Sequence, residues 1–256
     1  MLVLLTNDDG IQAPGLKALK EALAGLGDLR VAAPDRDQSG ISHAFTVRGP
    51  YEVNEIHNNG SLFGWAVRGT PVDAVKVAVR ALLPRMPDLV VSGINGGENS
   101  GVDLLYSGTV AAAMEAATYG VPAIAVSLAS RSYDDFSAAA AFTRRIVSEA
   151  LQRGMPPGVV LNVNVPPLAA ELIHGVRVTR QGDSYYEESL EQRDDGDGLK
   201  YHWTRWGKQM AEDGEGSDVK AIRDGFISVT PIRARLTDNA FMPALERWRL
   251  TDQPRR

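Results

Sequence analysis

Residues 2–15 read LVLLTNDDGIQAPG. Four apolar residues run straight into Asn7, Asp8, Asp9 and Gly10, and a helical pattern follows. The stretch reads as a buried strand that ends by presenting two adjacent carboxylates at its carboxyl edge. In an open α/β sheet, ligands bind at that edge. Neighbouring carboxylates repel one another unless a cation lies between them. An Asx-rich turn accounts for the same residues without any ligand, because Asn, Asp and Gly are common in turns. The rest of the chain decides between the two readings.

Outward from this stretch, short apolar runs alternate with helical patterns. Residues 29–33, 63–67, 89–91, 123–126 and 159–165 have strand character. Residues 16–26 place Leu16, Leu19, Leu23 and Leu26 on one helical face. Residues 72–83 form a helix between Pro71 and Pro84, residues 110–118 an Ala-rich helix stopped by Gly120, and residues 136–151 a further helix. Such alternation requires right-handed crossovers, and so predicts an α/β fold with a mostly parallel sheet and helices on both faces.

Past Pro167 the pattern changes. Residues 182–218 are polar and rich in Gly, Asp and Glu, with an aromatic island at Tyr201, Trp203 and Trp206. Asp194, Asp195 and Asp197 with Gly196 and Gly198 read as a hairpin tip, and the closing Glu of an EF-hand is missing. The segment is too long for a plain connection and reads as an extended β-hairpin arm. Its aromatic residues either meet another subunit, where Tyr and Trp are enriched, or pack on their own domain. Residues 226–229 return to a strand, and residues 237–249 form a terminal helix carrying Ala240, Phe241, Leu245 and Trp248. The expected division is a core over 1–167 and a C-terminal extension over 168–256, packed together as one functional unit.

Composition narrows the chemistry. The chain has 256 residues and a formal net charge of −5, so no broad basic field is available for a nucleic-acid backbone. There are no cysteines, which removes disulfides, thiolate metal sites and cysteine nucleophiles. No apolar stretch approaches the roughly 18 residues that span a bilayer. The first residues enter the expected strand directly, so a cytoplasmic protein is expected.

Several turns follow the expected strands, and their contents are complementary. PDRDQSGIS at 34–42 offers Asp35, Asp37, Ser39 and Ser42; RGTPVD follows at 68–73; SGINGGENSG spans 92–101; and YSGT at 106–109 opens the Ala-rich helix. Asp8 and Asp9 supply charged oxygens, while Ser39 and Asn95 supply neutral ones. Magnesium and manganese prefer such donors and keep waters that a phosphate can displace. Glycines let backbone N–H groups approach an anion closely. Ser107, Gly108 and Thr109 would aim N–H groups and hydroxyls at a phosphate, or Ser107 or Thr109 serves only as an N-cap. His43 is either a general acid or a polar loop residue. No G-x-S-x-G elbow, P-loop or G-x-G-x-x-G follows a strand, which argues against a serine hydrolase, a P-loop NTPase and a dinucleotide-dependent dehydrogenase.

TNDDGIQAPG, PDRDQSG, GTPVDAV, SGINGGENSGVDLLYSGTVAAAMEA and GVPAIAVS occur in this order. They are followed by NVNVPP at 162–167, VTRQG at 178–182, YHWTRWG at 201–207 and SDVKAIRDGFISVTPI at 217–232. Over essentially its whole length the sequence resembles the survival protein SurE family. The resemblance implies a Rossmann-like core, and a hairpin arm and terminal helix used in oligomerisation. It implies a metal-dependent phosphatase acting on nucleoside 5′-monophosphates, with 3′-nucleotides and polyphosphate as further candidates. It also implies one divalent cation per subunit, Mg2+ or Mn2+, held by Asp8, Asp9, Ser39 and Asn95. Asp8, Asp9 and Asn95 are then the catalytic set, and Asn7, Gly40, Asn99, Ser107, Gly108 and Thr109 the phosphate-binding set. The implied partners are the nucleotide and a second copy of the chain, in a homodimer or homotetramer that exchanges arms, with no membrane and no stable nucleic-acid complex. The alternative is a mononucleotide sensor that uses the same metal site without turnover. Two departures from the family pattern, Ala74 for a common cysteine and Ala116 for a common glycine, touch no implied ligand.

Overall fold

The computed structural model describes residues 1–133, 135–196, 198–210 and 214–248. β1 (Leu2–Thr6) is wholly buried, as an apolar run in the middle of a parallel sheet must be. α1 (Pro14–Ala22) begins at a proline, whose missing N–H is not needed in a first turn. It stops short of the expected end at 26, because Gly25 and Gly27 take positive φ and turn the chain into β2 (Asp28–Pro34). β3 (Glu52–Asn58) and β4 (Ser61–Arg68) form a hairpin through Asn59 and Gly60, both at positive φ. Only β4 is expected from the sequence.

α2 (Pro71–Val77) is closed at its start by a reciprocal Thr70–Asp73 capping box and runs on as a π-helical turn, Ala78–Leu82. β5 (Leu89–Gly96) leads into a 3-10 turn, Gly101–Tyr106. α3 (Gly108–Thr118), β6 (Ala123–Leu128), α4 (Ser137–Arg153) and β7 (Val159–Val165) complete the alternating part. Then come β8 (Val176–Val178), β9 (Tyr185–Asp194), β10 (Lys200–Met210), α5 (Asp218–Arg223), β11 (Ile227–Arg233) and α6 (Met242–Leu245).

The main sheet has the order β3-β4-β2-β1-β5-β6-β7-β11-β8. From β4 to β7 every neighbouring pair is parallel. Taken in chain order, those six strands are arranged 3-2-1-4-5-6, the doubly wound Rossmann arrangement. The order reverses between β1 and β5, so the switch point lies beside Asp8 and Asn95. β3 pairs antiparallel with β4 at one side; at the other, β11 pairs antiparallel with β7 and parallel with the edge strand β8. Side chains alternate across β1: Val3 and Leu5 join α1 and α4 in one core, and Leu4 joins α2 and α3 in the other.

β9 and β10 form a separate antiparallel hairpin, the expected arm. Leu190 and Trp203 on it are 67% and 54% exposed, so these side chains are not packed on their own domain. The expected tip residue Asp197 lies outside the described residues. The expected terminal helix over 237–249 is a single turn, α6, flanked by Phe241 and Trp248, which meet edge to face at 5.9 Å; residue 249 lies outside the described residues. No helix among the described residues is long and apolar enough to cross a membrane.

Candidate active site

The NDDG turn is built from the end of β1 outward. Thr6 pairs with Ser92 of β5, so the next residues leave the sheet at the switch point. Gly10 has φ +100°, and a Cβ there would lie 3.1 Å from the Arg36 backbone. That close approach brings the loop after β2 against the turn, where the Gln38 N–H donates to the Asp8 carbonyl at 2.8 Å. Asn7 is fully buried; its Nδ2 donates to the Gly10 carbonyl at 2.9 Å, and its Oδ1 has no hydrogen-bond partner among the described residues. Asp8 is 4% exposed and accepts a very short hydrogen bond from Thr109 Oγ1. Gly108 makes room for it: a Cβ there would sit 2.8 Å from Asp8 Cβ and 2.9 Å from its Oδ2. Asp8 therefore lies against the N-terminus of α3, where the helix dipole favours negative charge. Ser107 caps that helix, accepting from the Val110 N–H at 3.1 Å.

Burial pushes the Asp8 carboxyl above its usual range. Burial, and then the charge of Asp8, push Asp9 up to about 6. The Gly96 N–H donates to Asp9 Oδ2 at 3.3 Å. Asn95 is aimed by a bulge in β5: Ser92 faces Ala125 of β6, yet Asn95 faces Ser127. Gly93 sits inside that bulge at φ +140°, where a Cβ would strike the Val126 carbonyl at 2.4 Å. Asn95 Nδ2 donates to the Gly97 carbonyl at 2.7 Å, which fixes the amide. Ser39 is exposed, and its N–H and Oγ both donate to Asp37 Oδ1 at 2.7 Å. The charge of Asp37 is felt at both Asp8 and Asp9, which places this loop beside the acids.

The model of the survival protein SurE family matches residues 3–188. The chain belongs to the SurE family. A relative from Syntrophobacter fumaroxidans, named 5′-nucleotidase SurE, is 45% identical over 98% of this chain and 100% of its own. One from Geotalea uraniireducens with the same name is 46% identical, over 98% and 100% of the two chains. The crystal structure of SurE protein from Aquifex aeolicus superposes with a TM-score of 0.84 at 40% identity, covering 96% of this chain and 98% of that one.

Within this SurE chain the donor set suits a hard divalent ion. Among the described residues no three His, Cys, Asp or Glu side chains form a metal cage. A buried acid, Asp8, and a half-buried one, Asp9, both with carboxyls raised above their usual range, stand with the unpartnered Asn7 Oδ1 and the neutral oxygens of Ser39 and Asn95 in adjoining loops. A charge-poor oxygen site of this kind fits Mg2+ or Mn2+, which retain waters.

Gly40, at φ +74°, has open space around it and turns the loop after Ser39. Asn99 is placed in a buried network behind the site. Its Nδ2 donates to Ser127 Oγ at 2.8 Å, and its carbonyl accepts from Asn162 and Asn164. His43 Nε2 lies 3.0 Å from Glu115 Oε2, and Lys76 donates to Glu115 Oε1 at 2.7 Å. Burial works to raise the Glu115 carboxyl, but hydrogen bonds from His43, Lys76 and Tyr119 outweigh it and hold it at about 2. These contacts tie the loop after Ser39 to α2 and α3.

The sequence reading missed a clamp from the C-terminal segment. Gly101 N–H donates to Asp218 Oδ2 at 3.2 Å, Gln181 Nε2 donates to the Gly101 carbonyl at 2.8 Å, and Val102 N–H donates to the Ser184 carbonyl at 2.9 Å. Asp218 is fully buried and also accepts from the Gly182 N–H at 2.8 Å. The turn that ends in Ser107, Gly108 and Thr109 thus hangs from the root of the arm. The motifs VTRQG and SDVKAI mark both anchors, but nothing local in them says what they hold.

Proposed function

We propose that this chain is a divalent-metal-dependent 5′-nucleotidase that hydrolyses nucleoside 5′-monophosphates to nucleoside and inorganic phosphate. The observation that carries the reading is the adjacent Asp8–Asp9 pair at the switch point of the sheet, with the buried Asp8 set against the N-terminus of α3. Asp8, Asp9, Ser39 and Asn95 hold one Mg2+ or Mn2+. When bound, the cation supplies Lewis acidity that activates water and neutralises charge on the phosphate. Ser107, Gly108 and Thr109 orient phosphate oxygens by backbone N–H groups and the helix dipole. Thr109 keeps Asp8 in place through its hydroxyl, Asn7 steadies the turn by holding Gly10, and Asn99 fixes the loop from behind. Phosphoryl transfer needs mainly such positioning and electrostatic stabilisation.

Water, rather than a carboxylate, attacks phosphorus. Thr109 holds Asp8 and the Gly96 N–H holds Asp9, and a carboxylate neutralised by a cation is a weaker nucleophile than an activated water. The phosphorus–ester oxygen bond breaks, and the nucleoside leaves with a proton from water. Residues 1–167 and 168–256 act as one functional unit, and the exposed arm exchanges with a second copy in a homodimer or homotetramer. We also propose a cytoplasmic location, where nucleoside monophosphates are formed and consumed.

Phosphate release from a panel of nucleoside monophosphates, with each divalent metal and with chelator, tests the assignment. Release with Mg2+ or Mn2+ that chelator abolishes is the expected result. Tight binding without release under every metal would overturn it in favour of a sensor. Single turnover in 18O-labelled water places the label in phosphate if water attacks; a trapped acid-labile phosphoenzyme would refute that route.

A further inference from the structure

We propose that Arg131 is a substrate-binding residue whose guanidinium takes the phosphate anion of the substrate beside the carboxylate pair. The inference rests on the phosphatase reading above. Arg131 follows the carboxyl end of β6, the strand next to β5, in a turn that is internally fixed. Ser130 Oγ accepts from the Ser132 N–H at 3.2 Å and from the Tyr133 N–H at 3.1 Å, and the Ala129 N–H donates to the Val165 carbonyl at 2.8 Å. From that turn the side chain lies back across Gly97. The point where a Gly97 Cβ would stand is 3.4 Å from both Cγ and Nε of Arg131, and 3.7 Å from Asn95 Nδ2. Arg131 Nε and the Asn95 amide therefore border the same space beside Gly97. Gly97, at φ +136°, keeps the intervening space free of a side chain.

Arg131 is exposed and forms no ion pair and no hydrogen bond among the described residues. Its charge lies close enough to Asp9 and Asp103 to act on both. Asp8, Asp9 and Asp37 bring three negative charges to the place where an anion must bind. A divalent ion offsets two of them, and Arg131 offsets the third. The planar guanidinium fork also matches two oxygens of one phosphate, which an ammonium does not.

The test uses the full chain loaded with Mn2+, in wild-type, Arg131→Ala and Arg131→Lys forms. Arg131→Ala should raise KM for a nucleoside monophosphate about tenfold to a hundredfold, with kcat changed far less. Inhibition by inorganic phosphate should weaken in parallel, and Arg131→Lys should fall between the two. Mn2+ affinity, read by electron paramagnetic resonance, should stay level or tighten, because a cation next to the acids has gone. Unchanged KM and phosphate inhibition would overturn the proposal. So would Mn2+ and phosphate binding that weaken together, which marks a disturbed loop. Calorimetric titration of inorganic phosphate into the Mn2+-loaded wild type and Arg131→Ala reads the contact without turnover. A wild type that binds phosphate through Arg131 but releases none from nucleotides would refute the enzymatic assignment alone.

Discussion

Gly108 has no side chain, and that absence decides where Asp8 can stand. A methyl group there would meet Asp8 Cβ at 2.8 Å, so Gly108→Ala must displace the acid, the helix start or both. We expect kcat/KM to drop about a hundredfold, since small misplacements at a reacting centre cost that much. Asp8→Asn should remove at least about a hundredfold of Mn2+-dependent turnover. It should leave the melting temperature of the metal-free protein equal or higher, because it deletes a charge that burial disfavours. A variant that turns over normally at saturating Mn2+ would end the ligand role. Asp9 has its own signature. Its folded carboxyl is raised from 3.8 to about 6, so the stability its bound proton gives the metal-free fold is full below 3.8 and lost as pH rises through about 6. Mn2+ must displace that proton, so its affinity should be about tenfold weaker at pH 5 than at pH 7.5, read by titration. Asp8, Asp9 and Asn95 were legible in the sequence because each ends a buried strand in a polar turn. Arg131 was not, and Asp37 was named with its loop but not as a neighbour of the acids. A lone charge in a loop carries no period, and only the three-dimensional path of another strand brings it to the acids.

The elements around the site differ in how plainly the sequence announces them. β1 and β6 are buried along their whole length and read as apolar runs, because both faces of the sheet are covered there. β3, EVNEIHN, lies at an edge with most of its residues exposed, so it shows no apolar run. α5 has only 6 residues, too few for a helical period to register. α3 is legible by its alanines, yet its tie to α2 is not, because Glu115 reads as one more charge. With its carboxyl lowered from 4.5 to about 2, Glu115 contributes stability that is present above pH 4.5 and lost as pH falls through about 2. The melting-temperature gap between wild type and Glu115→Gln should therefore be widest near neutrality and shrink as pH approaches 3. A gap that ignores pH would mean that the ion pair is not what Glu115 provides. Asp218→Ala strands the Gly101 and Gly182 N–H groups in the interior. Calorimetry should find the fold weakened by about 3 kcal/mol.

At the scale of the whole molecule, the doubly wound order concentrates the functional loops at one edge, and the alternation of strands and helices made that much readable. The antiparallel pairing of β3 with β4 and of β11 with β7 was not readable, because pairing direction leaves no mark on composition. The arm was readable as an arm from its length and polarity. Its exposed Leu190 and Trp203 make the assembly testable. Deleting residues 185–210 should lower the molar mass seen by light scattering to that of a smaller species, and an unchanged mass would refute arm exchange. The hydrogen bond from Gly101 to Asp218 spans 117 positions of sequence. A ribosome makes the acids first and their distant anchor much later. During translation the chain carries its charged pair for the time needed to add those residues, while the neighbouring glycine-rich turn has no finished support. The turn that opens α3 thus gains its Asp218 contact only once residue 218 has been made, and a product terminated before it lacks that support.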